Sequence, residues 1–378
     1  MVRTIPTPPP ETSHTRDRIV NALEMGTCDG QYYTDHQIRQ AFDELQTEGS
    51  VYIPQGTWVI SKPIVWPGNN IKVFGAGNST ILSLADGADC DIFDLDGISR
   101  VVMRDLQFNG NKANNAAGSA MNIYNCVNVI LDNIHAWNTS DEGIHFEAAG
   151  GNGTVARLYN VYTSGCDGAG IFIDDWNGAT LHGCVTEGAA TGTSAQLMVK
   201  DSIGVGIYDH WCEGTFGDGI HLNNVDSFVL SQIRIQRGET NGLHLDDASG
   251  TCTNGHIFAV RTSDSGTRGL LIDATCARLK FQGCEFDTAI SYAGTGVVFE
   301  GVAIAGAAQR TVNSGTSTGT AAQQTIAHGC ITTPVSVQLW DIETGAGPYQ
   351  SAAADAVNIY VTAANNQDWG WRAVVAEG

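Results

Sequence analysis

The chain is poor in basic residues. Nineteen of its 378 residues are Lys or Arg, against 40 Asp or Glu, and the net charge at pH 7 is −21. Only five of the basic residues are lysines. An acidic surface repels the phosphates of nucleic acids and of anionic lipids. The composition therefore predicts neither nucleic acid nor a membrane surface as a partner, and adaptation to high salt is one explanation of the charge.

Long apolar stretches are also absent. No run of about 18 apolar residues occurs, so the sequence predicts no membrane-spanning helix and no membrane insertion. The first ten residues are rich in proline and lack the apolar segment of a secretory signal peptide. We therefore expect the protein not to leave its cell by the common secretory route.

The ten cysteines form no Cys-x-x-Cys pair and have no zinc-like spacing. The sequence therefore predicts no metal site built on thiols. Two readings remain open. In one, the cysteines are small buried residues of an interior, and in the other, one or two disulfides form.

A short apolar phrase recurs between residues 120 and 300, and its spacing is 23, 27, 26, 23, 23, 27 and 27 residues. A period in this range is typical of a solenoid. Its first apolar residues are Met121, Ile144, Ile171, Leu197, Ile220, Leu243, Leu270 and Val297.

Each phrase alternates apolar and variable residues, which is the period of a β-strand. One or two further short apolar stretches follow each phrase, and Gly, Asn, Asp and Ser separate them. Up to three strands in about 25 residues, with turn residues at the corners, describe one coil of a parallel β-helix. The sequence thus predicts an all-β chain.

The segment from residue 34 to residue 82 is predicted to form a cap over the first coil of the β-helix. A helix is predicted from Thr34, with an apolar stripe that includes Ile38 and Phe42, and Gly49 ends it. The run from Ile38 to Trp58, with residues 71–77 and 80–82 after it, resembles the N-terminal cap of the pectate-lyase-like superfamily. The resemblance covers about residues 34–300, and it implies a right-handed parallel β-helix with a capping helix over its first coil.

Composition changes at both ends of this region. Residues 1–33 are predicted to be an N-terminal arm, residues 34–302 the β-helix with its cap, and residues 303–324 a linker rich in Ala, Gly, Thr and Ser. Residues 325–378 alternate as strands and predict a small C-terminal β-sandwich. The Ile326-Ala-His-Gly stretch and the closing Trp369-Gly-Trp strand resemble a small β-domain at the C-termini of viral fibre and spike proteins.

Stacked coils bring equivalent residues into columns on the outer surface. Two outward columns are predicted for the phrase strands. The first reads Asn122, His145, Phe172, Met198, His221, His244, Leu271 and Val298, and the second reads Tyr124, Glu147, Asp174, Lys200, Asn223, Asp246, Asp273 and Glu300.

These columns hold the candidate catalytic residues. Neighbouring coils lie about 4.8 Å apart, so carboxylates on adjacent coils reach the separations of about 5 to 9.5 Å that glycosidases use. One carboxyl could act as general acid while a histidine transfers protons. The alternative is a solvated face whose aspartates cap the corners. The candidates are Asp174, Asp246, Asp273, Glu147, His221 and His244.

A second set of residues is predicted to bind substrate. It combines groups beside the strands, the one cation of the columns, and two tryptophans near corners that could stack on sugar rings. These residues are His145, Glu142, Asp218, Lys200, Trp176 and Trp211. No metal ligand set can be assigned, although the acidic clusters leave Ca²⁺ open as a cofactor.

The superfamily that the chain resembles includes pectate lyases, polygalacturonases, alginate epimerases and viral tailspikes, so the resemblance implies a fold and leaves the activity open. The Asp-Asp with Gly-His-Gly of polygalacturonases and the Asp-Pro-His of epimerases are absent. We expect a virion surface spike or tail-fibre protein that recognises host-surface polysaccharide or glycoprotein. Whether it also degrades this glycan is left open by the sequence. It would attach to other virion proteins through its arm and form a homotrimer. A free polysaccharide lyase, glycoside hydrolase or epimerase, and a purely structural virion decoration, are the alternatives.

Overall fold

The computed structural model describes residues 18–25, 33–45, 48–188, 195–214 and 217–304, together with the backbone of several strands between 307 and 374. Strands dominate the described residues, and nearly all of them pair in parallel. Successive coils stack on one another with an offset of one coil between paired strands. The predicted all-β parallel β-helix is confirmed.

Three parallel sheets form the sides of the solenoid. The first sheet contains Ile64–Val65, Phe93–Asp96, Met121–Tyr124, Ile144–Glu147, Ile171–Asp174, Ala195–Ile203, Asp218–Asp226, Asn241–Asp246, Arg268–Ile272 and Ile290–Tyr292. The second contains Ile19–Asn21, Gly49–Tyr52, Ile71–Phe74, Ser99–Asn109, Val127–Trp137, Gly153–Tyr159, Trp176–His182, Gly206–Tyr208, Val229–Ser231, Thr253–Phe258, Ala277–Gln282 and Thr295–Glu300.

The third sheet contains Tyr33–Thr34, Gly56–Ile60, Thr80–Leu84, Tyr162–Ser164, Val185–Glu187, Trp211–Glu213, Arg234–Gln236, Arg261–Ser263, Glu285–Phe286 and Val302–Ile304. The two longest strands, Ser99–Asn109 and Val127–Trp137, run from the second sheet into the third. Short 3₁₀ turns occur at Ala22–Glu24 and Gly77–Ser79.

Alternate residues of each strand fill the interior. In the strand Asp218–Asp226, Ile220 and Leu222 are fully buried, while His221 between them is partly exposed. The same alternation holds for Ile144 and Phe146 three coils earlier. Each coil alone would leave these side chains in water, so stacking of the coils supplies the hydrophobic stabilisation.

Corners use residues that tolerate a left-handed backbone. Asn125 and Asp175 each follow a strand of the first sheet, and Asn224 lies where the strand Asp218–Asp226 crosses the corner; their φ angles are 50°, 52° and 54°. Asn and Asp adopt this conformation more readily than other non-glycine residues. The turn residues of the sequence therefore mark the corners correctly.

The cap forms as expected from its apolar stripe. The helix Asp35–Leu45 buries Ile38, Ala41, Phe42 and Leu45. Its Phe42 ring packs against Trp66 at 5.6 Å and against Phe93 at 6.5 Å, measured between ring centroids. The helix therefore covers apolar side chains of the first coils. Among the described residues, no helix is long and apolar enough to cross a membrane.

Coil length varies because the corners vary. The register from Met121 through Leu270 gives coils of 23, 27, 26, 23, 23 and 27 residues. The two 27-residue coils carry long corners between the first and second sheets, at residues 148–152 and 247–252. The strands Ala195–Ile203 and Asp218–Asp226 instead continue directly across that corner.

The last predicted coil is wrong. Leu271 lies opposite Ser291 in the first sheet, so this coil has 20 residues rather than 27. The phrase that contains Val298 and Glu300 lies in the second sheet, where Val298 pairs with Lys280. In this coil the corners at residues 273–276 and 287–289, and the third-sheet strand Glu285–Phe286, are all shorter than their counterparts in the preceding coil.

The domain boundaries also differ from those expected. Ile19–Asn21, assigned to the arm, pairs with Gly49–Tyr52 and so belongs to the solenoid. Residues 1–17 of the predicted arm lie outside the described residues. The predicted linker contains Ala307–Gln309, which pairs antiparallel with Val302–Ile304, and Val312–Thr318, which pairs with Asp368–Val374.

The C-terminal strands form two three-stranded antiparallel sheets. How the two sheets pack, and with it the predicted sandwich, lies outside the described residues. One sheet contains Val312–Thr318, Asp368–Val374 and Ser336–Asp341, and the other contains Gln323–Ala327, Asn358–Thr362 and Ala353–Ala354.

The eight described cysteines are free thiols, and seven of them are buried. Within the described part of the chain the structure therefore supports the interior role and contains no disulfide. Burial raises the pKa of Cys184 to about 11 and that of Cys212 to about 12. Cys28 and Cys330 lie outside the described residues.

Candidate functional site

The outer face of the first sheet carries the predicted columns. His145 lies opposite Phe172, Met198 opposite His221, and His221 opposite His244. In the second column Glu147 lies opposite Asp174, and Asn223 opposite Asp246. The predicted register is therefore confirmed from Asn122 to Leu271.

A stacked pair of histidines is the centre of the candidate site. The rings of His221 and His244 lie 4.5 Å apart between centroids, with their planes inclined by 15°. Their side chains are 13% and 14% exposed, so each is largely enclosed and still reachable from solvent. Register alone produces this arrangement, because neighbouring coils place equivalent side chains about 4.8 Å apart.

Three aspartates surround the two rings. Asp246 accepts from His221 Nε2 at 3.0 Å. Asp218 accepts from His244 Nδ1 at 2.8 Å, and Asp273 accepts from His244 Nε2 at 3.2 Å. We call these five residues the His–Asp cluster. It joins four predicted catalytic residues to Asp218, which was predicted to bind substrate.

Asp218 is held in place by its neighbours. Its carboxylate accepts hydrogen bonds from the backbone N–H of Asn241 at 3.0 Å and from Asn241 Nδ2 at 2.8 Å. Only 7% of Asp218 is exposed. Both carboxylate oxygens are therefore engaged, one by Asn241 and the other by His244, which fixes the orientation of the imidazole.

Asp246 is maintained as an anion. Burial raises the pKa of Asp246, but the backbone N–H of Ala248 and the His221 ring together lower it by more, so the net shift of the pKa is downward. Ala248 N and Asn223 Nδ2 donate to Asp246 at 2.9 Å each. Asp246 thus caps its corner, as the alternative interpretation expected, and contacts the histidine pair as well.

His244 favours the protonated state. Burial lowers its pKa, but the hydrogen bonds and charges of Asp218 and Asp273 together outweigh burial, and the pKa is raised. Both ring nitrogens face a carboxylate oxygen, and only the imidazolium can donate from both. The cluster therefore holds a proton donor beside a second histidine.

The cluster can transfer protons. When His221 is neutral and donates from Nε2 to Asp246, Nδ1, which lies 3.8 Å from Asp218 Oδ2, is the nitrogen left to accept a proton, and the aspartates stabilise the resulting imidazolium. His244 can supply a proton from the neighbouring coil. A base and an acid on adjacent rungs suit a reaction that removes one proton and delivers another.

Two sets of three groups in the cluster lie close enough together to hold a metal ion. They are Asp218, His221 and His244, and His244, Asp246 and Asp273, with the ligand atoms of each set within 4.8 Å of one another. Each set contains imidazole nitrogen, whereas Ca²⁺ is bound by oxygen ligands. These donor sets therefore do not fit Ca²⁺, the ion that the sequence left open.

A second histidine site lies three coils away. His145 has Nδ1 3.9 Å from Glu142 and Nε2 3.8 Å from Glu147. Its ring also contacts Phe172, with 4.9 Å between centroids. These distances exceed hydrogen-bonding range, so His145 is placed between two carboxylates without being fixed by them.

Asp174 and Lys200 neutralise each other. Lys200 Nζ lies 3.0 Å from Asp174 and 3.2 Å from Asp201. The pKa of Lys200 is raised, chiefly through its hydrogen bond with Asp174. The structure therefore gives both residues an ion-pair role and separates Asp174 from the His–Asp cluster, while Glu147 lies opposite Asp174 on the neighbouring coil, as the register predicts.

The structure removes both predicted tryptophans from the site. Trp176 is 1% exposed and points into the interior, where it packs edge-on against Phe146 at 5.1 Å. Trp211 is 40% exposed but lies in the third sheet, where Arg234 sits over its ring. Neither can stack on a sugar bound to the first sheet.

Sequence reasoning missed Asn241, although a signal for it exists. A polar residue, glycine, an apolar residue and histidine recur at Glu142–His145, Asp218–His221 and Asn241–His244. A Cβ on Gly219 or Gly242 would lie 2.7 Å from the carbonyl oxygen of the next coil. The glycine is needed for close stacking, and the polar residue before it reaches the site.

Comparison with known proteins identifies the family of the chain. A family model described as rhamnogalacturonase A/epimerase, pectate lyase-like, matches residues 19–243. No curated protein matches the chain.

Several solved structures are similar. ORF18 of Geobacillus virus E2 has a TM-score of 0.58 at 12% identity, covering 92% of this chain and 77% of that one. The A-module of the mannuronan C-5 epimerase AlgE4 of Azotobacter vinelandii gives 0.55 at 15%, covering 76% and 96%. The enzymatically active domain of tailspike protein 2 of bacteriophage CBA120 gives 0.54 at 13%, covering 76% and 43%.

At these identities the similarity establishes a common fold. The family match extends over more than half of the chain, includes the strand that carries His221, and ends at residue 243, just before His244. The chain therefore belongs to the rhamnogalacturonase A/epimerase, pectate-lyase-like family, and its fold is the pectin-lyase-type parallel β-helix that also occurs in phage tailspikes.

Proposed function

We propose that this chain is a virion surface spike or tail-fibre protein that binds a host-surface glycan along its first sheet and modifies it at the His–Asp cluster. The observation that carries the proposal is the stacked pair of His221 and His244 enclosed by three aspartates. A purely solvated face gives no reason for such an enclosed and hydrogen-bonded pair.

The chemistry that fits best is proton abstraction next to a carboxylate of an acidic sugar. His221 would take the proton from the sugar carbon. His244 would either deliver a proton to the leaving glycosidic oxygen, which gives elimination, or return one to the opposite face, which gives epimerisation. Its positive charge would also stabilise the negative charge that develops on the sugar carboxylate.

Hydrolysis by a pair of carboxylic acids is less well matched. It requires one carboxyl that stays protonated near neutral pH. Asp246 has a lowered pKa and accepts hydrogen bonds from Ala248, Asn223 and His221. It is therefore suited to orienting His221 rather than to donating a proton.

The rest of the face suits an extended ligand. Phe172 and Met198 lie between His145 and His221 in the same column, and both are partly exposed. From His145 to His244 the column spans four coil steps, or roughly 19 Å. A glycan lying along the solenoid axis would meet an apolar surface flanked by two polar sites.

Support for the virion role comes from two observations. The fold is shared with a tailspike domain and with a protein of a Geobacillus virus. The C-terminal residues also contain the Ile326-Ala-His-Gly stretch noted above. Attachment through residues 1–17 and a homotrimeric state belong to the same proposal.

The first experiment is incubation of the full-length protein with acidic and neutral surface polysaccharides in high salt. Reducing ends and the absorbance of unsaturated uronates should be followed together, with the sugar composition of the polymer. Unsaturated products indicate elimination, changed composition without cleavage indicates epimerisation, and reducing ends alone indicate hydrolysis. Binding without any product would leave a receptor-recognition spike.

Variants locate the site. His244→Gln removes the proton donor and should abolish product formation while the protein still folds. Asp174→Asn is the matched control, because Asp174 is paired with Lys200 on the same sheet. Activity that survives in His244→Gln would disprove the assignment of the cluster.

The virion role is tested separately. Deletion of residues 1–17 leaves the strand Ile19–Asn21 intact and should prevent incorporation into particles without loss of polysaccharide binding. Light scattering of the purified protein gives its oligomeric state. Particles that carry the truncated chain at the usual level would contradict attachment through the arm.

A further inference from the structure

A cluster of cations lies on the second sheet near its N-terminal end, away from the His–Asp cluster. Lys72 and Arg104 are exposed side chains on neighbouring strands of that sheet, and Arg100 stands at the corner that precedes Arg104. The chain has 19 basic residues and a net charge of −21, so three cations on one small surface form a positive patch on a negatively charged protein.

The surface is concave. One cavity of about 280 Å³ is lined by Glu48, Gly49, Asn70, Lys72 and Arg100. A second, of about 350 Å³, is lined by Ile19, Ser50, Lys72, Val73, Phe74, Val102 and Arg104. Lys72 belongs to both, so the cavities adjoin. We call them together the basic groove.

Among the residues that the structure describes, Glu48 is the acidic residue that lines the groove, and the three cations form few ion pairs. Arg104 has one carboxylate nearby, that of Asp105, at 3.8 Å, and the Arg104 side chain is 56% exposed. No ion pair joins Lys72 or Arg100 to any other described residue. In contrast Lys200, Lys112 and Lys280 each lie 3.2 Å or less from a carboxylate. The groove therefore offers positive charge that remains available to a ligand.

Apolar and aromatic groups border the cations. The Arg104 guanidinium lies over the ring of Phe74, 5.5 Å from its centroid, and the ring of Tyr52 lies 5.2 Å from that of Phe74. Ile19, which is 62% exposed, lines the same cavity. The cation–π contact holds the guanidinium in one orientation, which lowers the entropy cost of binding an anion.

We infer that the basic groove binds a segment of anionic polysaccharide. Carboxylate or sulfate groups would pair with Lys72, Arg100 and Arg104, and the apolar faces of the sugar rings would contact Phe74 and Ile19. The combination of apolar lining and a few charged groups is what small-ligand sites in proteins show. The occupant is a polymer with spaced charges, because Arg100 and Arg104 lie four residues apart on one strand and Lys72 lies opposite Val102, between them, on the neighbouring coil.

This site does not depend on the proposed function. It lies on a different sheet from His221 and His244, and nothing in it performs chemistry. Its role would be to hold a long glycan at a second point, which raises the effective concentration of the polymer at the solenoid surface.

Titration of the full-length protein with polygalacturonate, dextran sulfate, neutral dextran and duplex DNA tests the inference. The first two polymers distinguish carboxylate from sulfate as the recognised group. The double variant Lys72→Gln/Arg104→Gln should bind the anionic polysaccharide about 25-fold more weakly, since an exposed charge pair contributes up to about fivefold each.

The matched control is Arg278→Gln. Arg278 stands at the equivalent corner near the far end of the second sheet, with φ of 55° against 61° for Arg100, and it bonds to Asn254. The control should bind as the wild type does, whereas Arg100→Gln should bind about fivefold more weakly.

Unchanged binding in the double variant, or equal binding of neutral dextran, would overturn the inference. DNA bound as tightly as the glycans would do the same, because it would show attraction of any polyanion. The His244→Gln variant should retain binding in the groove, so failure of the catalytic proposal and failure of this one are distinguishable.

Discussion

His221 and His244 face each other on adjacent coils with 4.5 Å between their ring centroids. Two imidazolium ions at this distance would repel each other, which disfavours simultaneous protonation of the pair. Asp218 and Asp273 accept hydrogen bonds from His244, whereas of the two histidines it is His221 that donates to Asp246. Each histidine therefore has its own hydrogen-bonded carboxylate partners.

Stability should depend on pH through His244. Its folded-state pKa is raised above the unfolded value of about 6.5. The stabilisation is therefore fully present below that value and is lost as the pH rises through the folded pKa. His244→Gln should destabilise the protein by roughly 2 kcal/mol in mildly acidic buffer and by less in alkaline buffer. Urea denaturation of the wild type and of His244→Gln, from mildly acidic to alkaline pH, measures this difference in stability. A difference that does not change with pH would contradict the prediction.

Activity should require Asp246 and tolerate loss of Asp174. Asp246→Asn removes the charge that orients His221 and should lower the rate by at least about 100-fold. Asp174→Asn leaves Lys200 with Asp201 at 3.2 Å and should keep the rate within about twofold of the wild type. Steady-state rates on the polysaccharide that is a substrate, with melting curves as a folding check, make the comparison. Equal losses in both variants would refute the cluster as the site.

Trp176 should contribute to stability and not to glycan binding. Trp176→Ala opens a cavity beside Phe146 and should cost about 4 kcal/mol in the free energy of unfolding. Trp211→Ala removes an exposed ring in contact with Arg234 and should cost about 1 kcal/mol. Chemical denaturation measures both. Weakened glycan binding in a folded Trp176→Phe variant would restore the original substrate-binding assignment.

The interior thiols should resist modification. Cys184 and Cys212 are fully buried, and burial raises their pKa to about 11 and about 12. At neutral pH they hold almost no thiolate, the reactive form. An aromatic disulfide reagent followed by peptide mass spectrometry should label Cys90 first among the described cysteines, and the buried ones only after unfolding. Rapid labelling of Cys212 in the native protein would show that the coils open locally.

Much of the fold could be predicted because the spacing of the repeat determines which residues of neighbouring coils lie opposite each other. Met198, His221 and His244 share one phrase, and equal spacing places them in one column. The same logic failed for Val298. Its phrase alternates exactly as a first-sheet strand does, but alternation is identical in all three sheets, so pattern alone cannot identify the sheet.

The site was only partly predictable. The residues beside His221 follow from the register. Which of them forms a hydrogen bond with each histidine depends on side-chain orientation, and Asp218 reaches the site from the first position of its strand. Trp176 was misplaced for a steric reason. It is the first residue of a second-sheet strand, and the opposing residue, Gly153, leaves room for its ring, as a Cβ there would lie 2.4 Å from it.

The two long corners have a consequence for how this surface can change. Residues 148–152 and 247–252 follow the strands that carry His145 and His244, while the strands and their register are unaffected by corner length. Backbone groups of the second corner already reach the site, since Ala248 N donates to Asp246 and Ser249 N to Asn223. Under the proposed function, exchange of these corners between related chains would alter which glycans fit beside the His–Asp cluster, and exchange of the second corner would also change the hydrogen bond that Ala248 N donates to Asp246.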